Sequence, residues 1–266
     1  MSAISLPHAP FTVLIVPFTS RPIVFGLLFQ RNTIGVIAPI YFFFLYVSTP
    51  IANFKAADHR LTDLAYTYTI LPSMCLFSII PAYLMYHSAD PSARQYWAWA
   101  WQMFPVWVAG AQLLLADTLV PRTVQHDRVY KPARDKLAIR ITVSFFGLLS
   151  AATWLYTLTS SPFSLAAMFV PRPGASLPDA YFPLVRNLLQ WDQAFAGGSA
   201  MLWLAYAFGD LKAAGMVTQS WLLLVALGSA AIACFGPGAA FAAGWLWREE
   251  VLLTRRHWAA VIKKTG

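Results

Sequence analysis

The sequence predicts an all-α fold, a polytopic bundle of transmembrane helices, and three observations carry that expectation. Hydrophobic residues fill 58% of the 266 positions and charged residues only 11%, against about 25% charged in an ordinary soluble domain. The apolar residues gather in segments of roughly 20, the length that crosses a hydrocarbon core at about 1.5 Å per residue. Between these segments lie stretches rich in Pro, Gly and basic side chains. So few charges cannot cover a water-facing surface, and the bilayer is the expected solvent for a single integral-membrane domain over residues 1–266. Six to eight spans fit the chain, with seven the preferred number.

Residues 10–29 are apolar but interrupted by Pro17, Arg21 and Pro22. No basic leading region or small-residue cleavage site accompanies them, so residues 1–30 read as interfacial, re-entrant or a first span rather than a cleaved signal. The first convincing span, 33–50, passes through Tyr41, Phe42, Phe43 and Phe44 and is ended by Ser48, Thr49 and Pro50. A polar stretch with Lys55, Asp58, His59, Arg60 and Asp63 leads into a second span, 64–86. Pro72 and Pro81 each remove a backbone hydrogen bond there and should bend the helix. A third span, 95–117, opens with Tyr96, Trp97, Trp99 and Trp101, suited to the headgroup boundary, and Pro105 is a further kink. The fourth, 138–160, holds Arg140 near its edge, where it can snorkel.

A Pro-rich connector, 161–181, precedes the fifth span, 182–208. That span carries Arg186, Asn187, Gln190, Asp192 and Gln193 within two turns, then the small run Gly197 to Ala200, which suits close helix packing. The last apolar block, 218–253, is too long for one perpendicular crossing. Gly236, Pro237 and Gly238 divide it, into one kinked helix or two pieces.

The net charge of +8 collects in the loop with Arg122, Arg128, Lys131, Arg134 and Lys136, and in a basic tail over 254–266 with Arg255, Arg256, Lys263 and Lys264. Anionic headgroups explain this pattern, and no recognition motif supports a nucleic-acid partner. With six spans the basic loop and tail fall on opposite sides of the membrane. An extra crossing, at the Gly236–Gly238 break or in the connector, places both on one side. Cys75 and Cys234 lack metal spacing and read as buried structural thiols.

An ionisable residue inside a transmembrane helix is costly and marks a functional site by default. Asp192 lies about ten residues into the fifth span, too deep for a short side chain to snorkel. A helical wheel places Arg186, Gln190 and Gln193 on one face and Asp192 roughly 100–120° away, so Arg186 is a poor intrahelical partner. A carboxyl held dry keeps the acid form that a general acid needs. The competing account is an interhelical hydrogen-bond network of Asp192 and the glutamines that only fixes packing. Asp63 begins the second span and could face inward with Tyr66 and Tyr68, although a solvated loop explains the Asp58–Asp63 cluster more simply. Glu249 and Glu250, beside Arg248, fit a surface ion-pair cluster, unless the Gly-Pro-Gly break tilts Glu249 into a cavity. Aromatic rings could stabilise a carbocation. With no HExxH, GxSxG, P-loop, His-rich box or DxxxD pair in the sequence, metal-free acid–base chemistry without a cofactor is expected.

Three short motifs carry a resemblance: Phe104-Pro105-Val106-Trp107 after Trp101-Gln102, the Leu-Gln-Trp-Asp run ending at Asp192, and Gly236-Pro237-Gly238 followed by Trp247-Arg248-Glu249-Glu250. From about residue 25 to 255 the chain resembles small fungal integral-membrane proteins of secondary-metabolite gene clusters, among them the membrane-bound terpene cyclases of meroterpenoid pathways. The resemblance implies a hydrophobic isoprenoid or meroterpenoid substrate in the endoplasmic reticulum membrane. An embedded carboxylic acid would protonate its epoxide or alkene, and rings would close through carbocations without metal. Asp192 and one of Glu249 or Glu250 are then the acid candidates, with Asp63 or Glu249 positioning the acid or taking the last proton. Trp191 and Tyr66 would stabilise cations, and Asn187, Gln190 and Arg186 would contact substrate. The alternative class is a small transporter or lipid-binding protein with a polar pathway along the fifth helix. The chain lacks the paired interrupted helices in matching halves that point to such carriers.

Overall fold

The computed structural model describes residues 22–49, 64–119, 135–171 and 181–262, and every regular element among them is helical. Helix α1 (Pro22–Asn32) reverses into α2 (Ile34–Ser48) at Thr33, whose φ of 68° lies in the left-handed region that non-glycine residues seldom occupy. Phe25 meets Tyr41 edge-on at 4.8 Å, so α1 folds back along α2. Its 11 residues reach roughly 16 Å, about half a hydrocarbon core.

Helix α3 (Leu64–His87) is continuous but holds a π-helical turn at Cys75–Ile79, between Pro72 and Pro81. The widened turn takes up the register that two missing donors disturb, which is the physical form of the expected bend. The expected third span is instead two helices, α4 (Pro91–Gln102) and α5 (Phe104–Leu119). The chain leaves the helix at Met103 because Pro105 cannot donate to a continuing ladder and favours the first turn of a new helix. Asp90 starts α4 by accepting the Ala93 N–H at 2.9 Å.

Helix α6 (Lys136–Ser160) follows, and the connector holds a short α7 (Leu165–Phe169). Helix α8 (Tyr181–Ala213) precedes α9 (Trp221–Phe235) and α10 (Pro237–Ile262), so the last apolar block is two helices. Gly236, at φ 85°, makes the break. A Cβ there would lie 2.8 Å from the Trp154 ring, and one on Gly238 would collide with Ser150 Oγ, so both glycines let α6 approach the turn.

The contacts fix the direction of each helix. Helices α2 and α8 run parallel: Gly35 meets Asp192 near the Thr33 hinge and Tyr46 meets Asp210 at the other end. Helices α6 and α10 are antiparallel, with Gly238 against Ser150 and Glu250 against Lys136 and Arg140. The bundle thus has a hinge end, at Thr33, and a basic end. Four helices (α6, α8, α9 and α10) separate segment 120–134 from the tail, so both attach at the basic end. This is the arrangement that an extra crossing at Gly236–Gly238 requires.

The buried core is small and the outer surface carries many exposed large apolar side chains. A modest core of Trp203, Leu204, Phe208, Leu211 and Leu252 joins α8 to α10, and Thr69, Ser73, Gln190 and Glu249 are also buried. Outside, Val36, Ile40, Phe43 and Val47 form an exposed apolar stripe on α2, and Ile141, Phe145, Leu148 and Leu155 form one on α6. By length and composition α3 and α6 can cross a membrane, while Ile34–Ser48, Phe104–Ala116 and Trp221–Phe235 are apolar but shorter. The all-helical expectation therefore holds, with fewer long apolar helices than six to eight spans require. The thiols depart from expectation: Cys75 is half-buried and Cys234 exposed on an apolar helix.

Candidate functional site

Among the described residues the largest cavity, a half-open cleft of about 1,320 Å³, lies among α1, α3, α5, α6 and α10. Phe29, Tyr66, Phe104 and Trp245 supply aromatic walls, and Gln112 and Thr142 supply hydrogen-bonding groups. Close approach of α1 and α5 shapes one side, since a Cβ on Gly26 would lie 2.6 Å from Pro105 Cβ. A chamber of this size, mostly apolar with a few polar groups, suits a long hydrophobic ligand. A second recess of about 480 Å³ opens between α6, α7, α8 and the α9–α10 turn, where Gln193 and Trp154 face each other's helices.

Of the residues expected to act, Tyr66 and Asp192 have the clearest placements. Tyr66 lines the large cavity. Asp192 is not among the residues that line it and faces α2, where its Oδ1 accepts the backbone N–H of Gly35. Thr33, at the N-cap position of α2, makes no side-chain cap, so the carboxyl of a distant helix supplies the acceptor that a helix start demands. The contact is tight: a Cβ on Gly35 would sit 2.7 Å from the Asp192 Cα. Gln190 points elsewhere, donating to the carbonyls of Ala167 at 2.7 Å and Met168 at 3.1 Å and so anchoring α7. The wheel separation of Asp192 from Gln190 and Gln193 is thus realised as two different neighbours. Trp191 stacks on Phe195 at 5.7 Å and is absent from the lining of the large cavity. Arg186 is exposed and Asn187 half-buried. Asp192 and Gln190 thus engage separate partners. Asp63 lies outside the described residues.

Glu249 is buried on α10, bonded to Arg248 at 2.9 Å. It follows Trp245 by four residues, hence on the same helix face one turn farther on. The Arg248 guanidinium lies over the Trp203 ring, 5.6 Å from its centroid. Beside it, Tyr46 donates to Asp210 Oδ1 at 3.2 Å. Tyr46, Thr49, Asp210 and Arg248 surround a gap of about 10 Å³, about one water-sized probe. Sequence reasoning missed Asp210 and Tyr46. Asp210 stands just beyond the expected end of the fifth span, where an acid reads as a boundary residue, and Tyr46 was one more ring in an aromatic run. Glu250, beyond the apolar part of α10, pairs with Arg140 at 2.6 Å and Lys136 at 3.5 Å. The Arg140 hydrogen bond, reinforced by the charges of Lys136 and Arg140, holds its carboxyl below the usual range despite partial burial.

Comparison with known proteins supplies the family. A 37% identical relative, the FAD-dependent monooxygenase anuJ of Penicillium roqueforti, matches over 231 residues, 86% of this chain and 28% of that protein. The FAD-dependent monooxygenase verC1 of Penicillium polonicum is 35% identical over 243 residues, 91% of this chain and 30% of that protein. BOA8 of Botryotinia fuckeliana, also named a FAD-dependent monooxygenase, is 35% identical over 241 residues, 89% of this chain and 30% of that protein. The chain therefore spans under a third of the length of these relatives. No solved structure matches. The fungal kinship read from the short motifs holds, although these relatives are named as monooxygenases and not as cyclases. The CtvD-domain model matches residues 15–253, and the chain belongs to the CtvD-domain family.

Proposed function

We propose that this chain is a membrane-embedded, metal-independent cyclase that opens an epoxide, or protonates an alkene, on an isoprenoid-like chain and closes rings through carbocations. The observation that carries this reading is the apolar, aromatic-walled cavity of about 1,320 Å³. The exposed apolar stripes supply the membrane part of it, with seven crossings by α2, α3, α4–α5, α6, α8, α9 and α10, and α1 as a re-entrant arm. We place it in the endoplasmic reticulum membrane.

In the proposed reaction Asp192 gives its proton to the epoxide oxygen, the C–O bond breaks, and an alkene of the same chain attacks the cation. Rings such as those of Tyr66 and Trp245 stabilise the positive charge. A carboxylate takes a proton at the end, so substrate and product are isomers. Glu249, held by Arg248, suits that last step, and Asp63, three positions before Tyr66, is the alternative. Asp192, which stands outside the lining of that cavity, is assigned the first on its second oxygen: Oδ1 is occupied by the Gly35 N–H, and Oδ2 can carry the proton.

The relatives' names raise the question of flavin. The Rossmann fingerprint for a dinucleotide is G-x-G-x-x-G between a strand and a helix. Here Gly236-Pro237-Gly238 follows helix α9 and the third glycine position is Phe241. This stretch does not match that fingerprint, and we assign the flavin chemistry of the relatives to the parts of them outside the match. A flavin monooxygenase can make the epoxide that this chain would open.

The test is product analysis by mass spectrometry and NMR in membranes of a host expressing the full chain and supplied with farnesylated phenol epoxides. Cyclised isomers are expected from the wild type. Asp192→Asn, whose amide oxygen can still accept from Gly35, should keep the fold and lose the products. Undiminished cyclisation by that variant would remove Asp192 as the acid.

A further inference from the structure

Membrane orientation follows from how the two ends differ, given the membrane reading proposed above. Of the 19 Lys and Arg residues, 14 belong to the basic end or to segments attached to it. Segments 50–63 and 120–134 and the tail contribute most, joined by Lys136, Arg140, Lys212 and Arg248. The hinge end and its segments hold Arg31, Arg94, Arg172 and Arg186, and Arg21 precedes α1, whose first residue lies away from that end. Glu250 offsets part of the charge of Lys136 and Arg140, but the asymmetry survives it.

Aromatic residues mark both boundaries. At the hinge end Tyr86, Tyr96, Trp99, Tyr156 and Tyr181 are all exposed, one or two from each of α3, α4, α6 and α8. At the basic end Tyr206 and Trp221 are exposed, and the Lys212 ammonium lies 5.7 Å from the Trp221 ring centroid. Exposed Tyr and Trp at both ends are what a bilayer selects. Lysine and arginine excess in short loops selects the cytoplasmic side, where anionic lipids attract it by about 1 kcal/mol per residue near the surface.

We infer that the basic end docks on the anionic phospholipid headgroups of the cytoplasmic leaflet, and that the aromatic-girdled hinge end faces the opposite compartment. The mouth of the bundle near Asp210, Arg248 and Glu249 then faces the cytosol, while the Asp192 clamp lies in the far half of the membrane.

Single cysteines read this directly in the full chain, with Cys75→Ser and Cys234→Ser as background. Thr218→Cys reports the α8–α9 turn at the basic end and Ser92→Cys the α3–α4 turn at the hinge end; both native residues are exposed. In sealed microsomes a membrane-impermeant maleimide should label Thr218→Cys fully, and Ser92→Cys only after detergent, which sets the total for each. The reverse pattern, in protein that resists alkaline carbonate extraction, overturns the orientation and leaves the membrane reading intact. Equal labelling of both before detergent overturns the inference as well, and release by carbonate would show that the membrane reading itself has failed. Neutralising Arg122, Arg128, Lys131 and Arg134 to Gln should give mixed labelling; an unchanged pattern would remove charge as its cause.

Discussion

The two ends of α8 solve the same problem differently. At the hinge end Asp192 is held by a backbone N–H, a partner that no side-chain substitution removes. At the basic end Asp210 is held by the Tyr46 hydroxyl, with Arg248 at the edge of the same small gap. A backbone partner fixes a carboxyl through helix packing, so its integrity depends on Gly35 having no side chain. A side-chain network fixes it through individually removable groups. The first should therefore fail as a unit and the second by degrees.

Gly35→Ala is the harshest test of that contrast. The new Cβ would lie 2.7 Å from both the Cα and the Oδ1 of Asp192, and neither helix backbone can give way locally. Overpacking of this kind costs about 3 kcal/mol, read as a fall of roughly 6–12 °C in the melting temperature of the detergent-solubilised protein. A variant that melts within a degree of wild type would mean that α2 and α8 adjust more freely than their packing suggests.

Removal of the Tyr46 hydroxyl should do less. Tyr46→Phe loses one hydrogen bond to a carboxylate, about 1.5 kcal/mol, and the loss should shrink in an Asp210→Asn background because the two groups act on each other. A double-mutant cycle measures the difference, and strict additivity would show that the 3.2 Å contact carries no coupling.

The smallest effect concerns Glu250. Its folded carboxyl titrates below the unfolded value, so the stability it contributes is fully present above about pH 4.5. That contribution is lost as the pH falls through the lowered folded value. The pair is partly solvated, and screening keeps the effect small. Melting curves between pH 6 and 3 should show slightly more acid destabilisation for wild type than for Glu250→Gln, and curves with identical pH dependence would mean that the Arg140 pair contributes nothing.

Much of the helical layout was legible because proline, glycine and aromatic clusters punctuate it. The reading placed α2, α3, α6 and α8 within a few residues of their ends, and Gly236–Gly238 divided the last block as expected. The break at Met103 was less visible, since Pro105 reads equally well as a kink within one helix or as the first turn of another. Pairings between helices could not be read at all. A wheel states which way Asp192 faces along its own helix, and it did so correctly relative to Gln190, but nothing in a single sequence says that the facing element is the start of α2. Asp210 was overlooked for the same reason: its partner is 164 positions away.

The reversal at Thr33 has a consequence for the timing of the proposed reaction. Helix α1 walls the cavity and reverses at that residue, and Asp192 holds the first turn of α2 just beyond it, a contact called here the latch. A carboxylate accepts an N–H more strongly than a carboxylic acid does, so surrender of the proton would tighten the latch just when a reactive cation needs shelter from water. Reprotonation would loosen it as the product leaves.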